Sequence, residues 1–595
     1  MSAMAVIVAT MSLAPPALWG QEGPSSRAAS TPAAKPSEEP AALTPLDLKV
    51  DPTLTCIGIL WNVKGDSNAN ATGTVVFRQA DRTEWNKAFD LRRVPPRTST
   101  GTARPSGRRG RGSPSGQDRG SVGVNYLAGS IFYLQPGAKY EVKITLADPD
   151  GGGTSSTVTV TTRAVPAIPK VGNVIEVKGG GDALKKALET AKAGDIFNVH
   201  AGKYQGGCVV SAEGTADKPI CIRSAGDGEV LLHGGDEPKA KLNGIHVKVP
   251  NVRIEGLSFY NFHHCILGDP SATDLAVMRC KMNHFFNAFF VAGARGYYAD
   301  NSIRESYNAL DLSVAPGMRN EGSGIWVTRG GDGSVICNNE ISLVADGVRT
   351  YCGGCDVYGN DVIFNVDDGI ELDNGGPNLR VMDNRWSFTG QNGISFQPYA
   401  GGPAFLIRNL VIGPKENAIK NRYESDGAVL INNTLISFAT QANDILAGTY
   451  SRNNLFLELP GKGHSSAKID VSPDLVRRLD MDYDGYGDKG PNGMPVKEFS
   501  AKTAQEKHGV QFTSNEAVLA NPPGLFEQYQ SKQWVVPETF LKEKGRPHPD
   551  LSLRAGSPAI GAGVAVPNIS EAVNGKAPDL GALQFGQPMP HYGPR

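Results

Sequence analysis

Asn339-Glu340-Ile341 leads to Asp346-Gly347-Val348; Asn360-Asp361-Val362 leads to Asp367-Asp368-Gly369-Ile370; Asn384-Arg385-Trp386 leads to Asn392-Gly393-Ile394. Set one under another, the three stretches repeat two cues. An asparagine opens a short strand-like run, and a small polar turn opens the next. The asparagine recurs at Asn301, Asn339, Asn360, Asn384, Asn409, Asn433 and Asn454, spaced 21, 24, 25, 24 and 21 residues apart after the first gap. The turn recurs at Asn417-Ala418-Ile419 and Asn443-Asp444-Ile445. A period in the twenties with no helical pattern inside it means stacked coils of short strands. An Asn at one fixed place per coil predicts a ladder of side-chain amides, in a turn whose left-handed geometry suits Asn.

Alternation within the strands sorts the side chains. Leu310, Leu312, Val348, Ile370, Leu372, Ile394, Phe396 and Ile419 point inward. Asp311 and Ser313, Arg349 and Tyr351, Glu371 and Asp373, Ser395 and Gln397, and Lys420 and Arg422 then share one outer wall. With coils about 4.8 Å apart, Arg349 and Glu371 are neighbours, and Lys420 and Arg422 lie on the order of 10 Å beyond the carboxylates. Acids flanked by bases on a sheet suit an acidic sugar. Abstraction of the C5 proton of a uronate needs its carboxylate neutralised by a cation or an Arg, and a Lys, Arg or Tyr to take the proton. Asp368 shares its turn slot with Asp346, Asn392 and Asn417, which also gives it a turn-forming role.

The chain has 595 residues, Gly 71, Pro 40 and 40% hydrophobic residues, enough for several domains with many tight turns. Its net charge of −1 provides no global field for nucleic acid, which is excluded as a partner. Residues 1–20 read as a secretory signal and predict a secreted or periplasmic location; residues 21–43 read as a Pro/Ala/Ser linker. No other stretch has the length and apolarity of a membrane span, and a monomer is expected. Among eight cysteines, Cys208 and Cys221 are placed to bridge, Cys352 and Cys355 form a candidate metal pair, and Cys265, Cys280 and Cys337 suit buried positions.

Residues 44–165 alternate like a β-sandwich, interrupted at 97–120 by an Arg/Gly-rich insertion that reads as disordered. Trp61 and the segment Leu134-Gln135-Pro136-Gly137-Ala138-Lys139-Tyr140 resemble the core tryptophan and the turn-and-tyrosine of fibronectin type III domains. Residues 174–460 form the repetitive region, with Asp182 predicted to cap a helix through Ala191 that covers the first coil. Residues 461–595 contain Asp480-Met481-Asp482-Tyr483-Asp484-Gly485, half of a calcium-loop spacing, and a closing segment expected to return along the coils. His263, His264 and His284 lie on early coils, within reach of one another.

Ala193-Gly194-Asp195-Ile196-Phe197-Asn198-Val199-His200-Ala201-Gly202-Lys203-Tyr204 and Gly214-Thr215-Ala216-Asp217-Lys218-Pro219-Ile220-Cys221-Ile222, together with the asparagine coils, resemble the pectin-lyase-like superfamily. The N-terminal run is most similar to its alginate lyase and chondroitinase B group. The resemblance implies an all-β chain: a right-handed parallel β-helix preceded by a β-sandwich. It also implies action on a uronate-containing polysaccharide, with Ca2+ as a possible cofactor. Carried over, Glu371 and Asp373 match the acidic pair that holds calcium, Lys420 the base and Arg422 its partner, with Arg349 and Tyr351 as further catalytic candidates. Asp311, Ser395 and Gln397 are then substrate-binding candidates. The chain departs from that pattern in placing Lys420 and Arg422 on one coil. A competing expectation, ranked below elimination, is hydrolysis by two carboxylates, either Glu371 and Asp373 on one face or Asp367 and Asp368, which are similar to the adjacent acids of polygalacturonases. A third is a non-catalytic carbohydrate-binding solenoid.

Overall fold

A computed structural model describes residues 40–94, 125–309, 322–397, 399, 401–413, 416–421, 427–437, 448–458, 466–472, 476, 478–521, 540, 548–571 and 576–595. The expected signal, most of the linker, the Arg/Gly insertion, Asp311 and Arg422 lie outside the described residues.

Two four-stranded antiparallel sheets open the structure. One orders Thr44–Pro52, Ile57–Lys64, Tyr126–Ile131 and Arg92–Val94; the other orders Asn86–Lys87, Thr72–Gln79, Lys139–Ala147 and Thr154–Thr161. Inward residues of both, including Ile59, Trp61, Val75, Val142 and Ile144, fill a shared core. The Tyr140 hydroxyl accepts a hydrogen bond from the Gln135 backbone N–H at 3.0 Å, which ties the turn to the strand that follows it.

From Asn173 onward the chain winds as a parallel β-helix with three strand positions per coil. The first face is a 13-stranded sheet running from Asn173–Val177 to Asp480–Met481. The second holds Glu340–Ser342, Asp361–Ile363, Arg385–Ser387, Leu410–Ile412, Thr434–Ser437 and Leu455–Glu458. The third holds Ile325–Val327, Val348–Thr350, Ile370–Glu371, Ile394–Phe396 and Ile419–Asn421. On two earlier coils, Ser258–Gly268 and Lys281–Val291 run through both the second and third positions as single long strands.

The asparagine ladder stands at the corner between the first and second faces. The backbone N–H and Nδ2 of Asn360 both donate to Asn384 Oδ1, at 3.0 and 2.9 Å, and Nδ2 also reaches Ile336 O at 3.0 Å. All seven asparagines are fully buried, so each rung satisfies groups that water cannot reach. The left-handed residue is not the ladder Asn, as expected, but the one before it: Asn338, Asp383, Arg408, Asn432 and Asn453 have φ between 51 and 60°. The backbone bend there frees the Asn itself to aim along the axis. Asp484 continues the ladder, its Oδ1 accepting from Asn454 N–H and Nδ2 at 2.7 and 2.9 Å, and its own N–H donates onward to Glu506 Oε2 at 3.3 Å. The half calcium loop therefore supplies a rung of this ladder.

Both ends of the main core are closed. Helix Ala183–Leu188 inserts Leu184 and Leu188 at one end. It is shorter than expected, and Asp182 makes no side-chain cap bond, pairing instead with Lys186 at 2.9 Å. Helix Val496–Thr503 buries Val496 and Phe499 in the same core. All eight cysteines are buried and free; Cys208 and Cys221 are not bridged. His263 and His264 stack on Phe286 and Phe290 instead of converging on a metal with His284.

Two faces are covered by the chain itself. The sandwich packs Phe89 and Phe132 against Phe405, Ile407 and Val429 of the first face, and Arg380, fully buried, donates to Ser130 Oγ at 3.1 Å. The C-terminal segment lays Leu551, Leu553, Leu580, Leu583 and Tyr592 against Leu343, Ile363, Phe388 and Leu410 of the second. No described strand or helix packs over the third face.

Candidate functional site

The third face pairs residues in strict register. Trp326 lies beside Arg349, Arg349 beside Glu371, Glu371 beside Ser395, and Ser395 beside Lys420. Their flanking residues Val348, Ile370, Ile394 and Phe396 belong to the interior cluster. The alternation read from the sequence therefore places Arg349, Glu371, Ser395 and Lys420 on one outer stripe. Tyr351 reaches the same group: Arg349 Nη2 donates to its hydroxyl at 2.7 Å.

A second ladder lines the corner between the second and third faces. The Asp368 N–H donates to Asp346 Oδ1 at 3.2 Å, and Asn392 N–H and Nδ2 donate to Asp368 Oδ1 at 3.0 and 2.7 Å. Asn417 Nδ2 continues it onto Asn392 Oδ1 at 2.8 Å. The turn-forming role expected for Asp368 thus uses one oxygen only. The other oxygens turn toward the bases: Asp346 Oδ2 lies 3.6 Å from Arg349 Nη1, and Asp368 Oδ2 lies 3.5 Å from Lys420 Nζ. Lys420 bends back over one coil to make this contact, so it stands much nearer to the acids than its place in the sequence implies.

Asp367, next to Asp368 in the same turn, completes a group. One carboxylate oxygen from each of Asp346, Asp367 and Asp368 lies within 4.8 Å of the others. Burial, reinforced by the neighbouring carboxylates, pushes Asp346 up to about 8 and Asp367 up to about 9. Asp373, 8% exposed, is pushed up to about 10 by burial and by Glu371. Burial also raises the Tyr351 hydroxyl well above its ordinary range, which unsuits it as a base. Asp373 Oδ1, Ser395 Oγ and Gln397 Oε1 are buried with no hydrogen-bond partner among the described residues.

Calcium was expected on Glu371 and Asp373. Glu371 and Asp373 do meet, carboxyl to carboxyl, but Glu371 Oε2 is held by Arg349 Nε at 2.8 Å, and the larger group of converging carboxylates is that of Asp346, Asp367 and Asp368. Two of these three already face Arg349 and Lys420. A calcium ion takes 6–8 oxygen ligands, and this arrangement, with cationic side chains in two of the approaches, does not fit it. Cys352 is engaged by Thr350 Oγ1 at 3.1 Å, with Cys355 buried beside Gly331 O, so this pair packs as small side chains. Tyr399 is also buried, bonded to Pro403 O at 3.1 Å, and offers no surface platform.

Residues 243–435 match the family described as the right handed beta helix region. No curated protein matches the chain. The family carries the fold, and that fold is consistent with a solenoid that acts on or binds polysaccharide. Asp346 was missed as a site residue because its turn slot explained it fully. The signal was present in the chain: Asp occupies that slot only at Asp346 and Asp368 among the quoted turns from Asp346 to Asn417, where Asn gives the same ladder bonds without charge.

Proposed function

We propose that the chain is a polysaccharide-cleaving β-helix enzyme that hydrolyses a glycosidic bond at Asp346, Asp367 and Asp368. The observation that carries this reading is the convergence of three carboxyl groups at the edge of the third face, over which no described strand or helix packs, in surroundings that keep protons on Asp346 and Asp367 at neutral pH. Asp367 is half-buried where Asp346 and Asp368 are buried, so of the three it is the one assigned to donate its proton to the leaving oxygen. Asp368, oriented by Asn392 and faced by the Lys420 ammonium, is the partner carboxylate, which takes a proton from the water that attacks the anomeric carbon as the bond to the leaving oxygen breaks. Arg349, between Asp346 and Glu371, holds the wall together and contributes positive potential beside the developing charge.

β-Elimination on a uronate chain is the second reading, favoured by Arg349 and Lys420 flanking the acids on one stripe. The tyrosine corner at Tyr140 supports reading the N-terminal module as fibronectin-like, a spacer on a secreted enzyme. The deciding experiment incubates the full chain with a panel of neutral and acidic glycans. New reducing ends without the ultraviolet absorbance of an unsaturated product, lost in Asp367→Asn, support hydrolysis. Unsaturated product lost in Lys420→Ala supports elimination. Neither signal leaves a binding solenoid.

A further inference from the structure

The third face carries another feature on the coils that precede the acids. The outward position held by Arg349 and Glu371 is filled one coil earlier by Trp326, before it by Phe290, and before that by Leu267, all in register. The His264 ring stacks on Phe290 with centroids 5.0 Å apart and planes within 16°. Phe290 meets Trp326 edge to face at 5.0 Å, and Trp326 meets Tyr351 in the same way at 6.0 Å. The Arg349 guanidinium lies 4.3 Å over the Trp326 ring. A continuous run of rings therefore ends at the acid cluster.

These rings do not belong to the interior. Their neighbours Phe289, Val291, Ile325 and Val327 fill the core, while His264, Phe290, Trp326 and Tyr351 are half-buried on the outer side. A contiguous apolar strip on an otherwise polar wall marks a place where something docks. Its charge narrows the occupant. Among the described residues the only cation touching the run is Arg349, already paired with Asp346 and Glu371, and burial pushes His264 down to about 3, so it stays neutral. A polyuronate lying here would lose hydration from its carboxylates without gaining counter-charges. A neutral sugar chain brings apolar C–H faces that match aromatic rings, and its hydroxyls stay at the wet rim. Each coil advances about 4.8 Å, close to the length of one pyranose unit in an extended chain.

We propose that the run His264–Phe290–Trp326–Tyr351 is a binding track for a neutral polysaccharide, which lies along the solenoid axis and presents one of its linkages to Asp367. The track deepens the hydrolytic reading and rests on it for the direction of the chain. In place of the acidic substrate expected from the sequence, it selects uncharged glycans.

The test uses full-length protein carrying Asp367→Asn, so that binding is read without turnover. Calorimetry and tryptophan fluorescence follow titration with neutral β-linked oligosaccharides (gluco-, manno- and xylo-series) and, in parallel, with oligouronates. At least one neutral series is expected to bind more tightly with length up to several units, with little dependence on salt. Phe290→Ala and Trp326→Ala are each expected to weaken it about tenfold or more, and Trp326→Phe to retain most of the affinity. Circular dichroism confirms that each variant folds. Folded alanine variants that bind as tightly as the parent, no binding of any neutral series, or preferential salt-sensitive binding of oligouronates would each overturn the track. If the track holds but the parent enzyme with Asp367 intact releases no reducing ends, the hydrolytic reading fails alone.

Discussion

Lys420 Nζ stands 3.5 Å from Asp368 Oδ2 although 52 residues separate the two in the chain. The lysine crosses the coil of Ser395 to reach an aspartate whose other oxygen is a rung of the corner ladder. One carboxylate thereby joins the packing of the solenoid to the chemistry proposed for its third face.

Both members of this pair are largely buried, with side chains 10% and 4% exposed. Removing Lys420 takes from the buried Asp368 the ammonium that faces its outer oxygen, and from Asp367 and Asp373 a neighbouring positive charge. Lys420→Met is expected to destabilise the protein by about 3 kcal/mol, read as a shift of the unfolding midpoint in denaturant. Adding Asp368→Asn, which keeps the ladder oxygen, is expected to recover most of the loss. Equal loss in the double variant would mean that the pair is not coupled.

Asp367→Asn is expected to lower hydrolysis by about 10²–10⁴-fold, the span that a positioned general acid contributes, with the fold unchanged. The isosteric amide keeps the shape of the turn and removes only the transferable proton. Steady-state rates on the best glycan of the panel measure it.

Stability is expected to fall as pH rises. Asp346, Asp367 and Asp373 have folded values raised to about 8, 9 and 10 from an ordinary 3.8. Between these limits the unfolded chain binds fewer protons than the native one, so the slope of unfolding free energy with pH is negative. The contribution is fully present below pH 3.8 and is lost as pH rises through the folded values. Hydrolysis should decline over the same upper range as Asp367 loses its proton. Thermal melts and rate profiles from pH 5 to 10 check both.

Chelation is expected to leave activity intact, since Arg349 and Lys420 supply the positive charge that calcium would otherwise bring. Rates before and after dialysis against EDTA decide it; a loss restored by calcium would reinstate a cation at the acids.

Asn384→Ala is expected to cost about 3 kcal/mol, because it strips the Asn360 N–H and Nδ2 of their acceptor and leaves Val357 O without its donor. The unfolding midpoint reads this directly.

Much of this was legible in the chain. The asparagine period gave the coils, and alternation placed Arg349, Glu371, Ser395 and Lys420 on one stripe, because a side-chain period of two is unforgiving of register. Three features were not legible. The backbone bend before each ladder Asn depends on φ, which composition does not encode when Asp383, Arg408 and Asn432 all adopt it. The closeness of Lys420 to Asp368 comes from a long side chain folding back, invisible to spacing. The ring track lies on coils where the Asn period is still irregular, and its meaning depends on which faces the sandwich and the C-terminal segment cover, a fact of tertiary packing alone.

A stack of identical rungs has no inherent reason to stop, and an unsealed terminal rung would accept another molecule's first rung and grow into a filament. Leu184 and Leu188 at one extremity, and Val496 and Phe499 at the other, plug the bore with side chains from helices that offer no strand edge. The length of the rod is thereby written into the chain, and with it the number of rungs along which a substrate can lie.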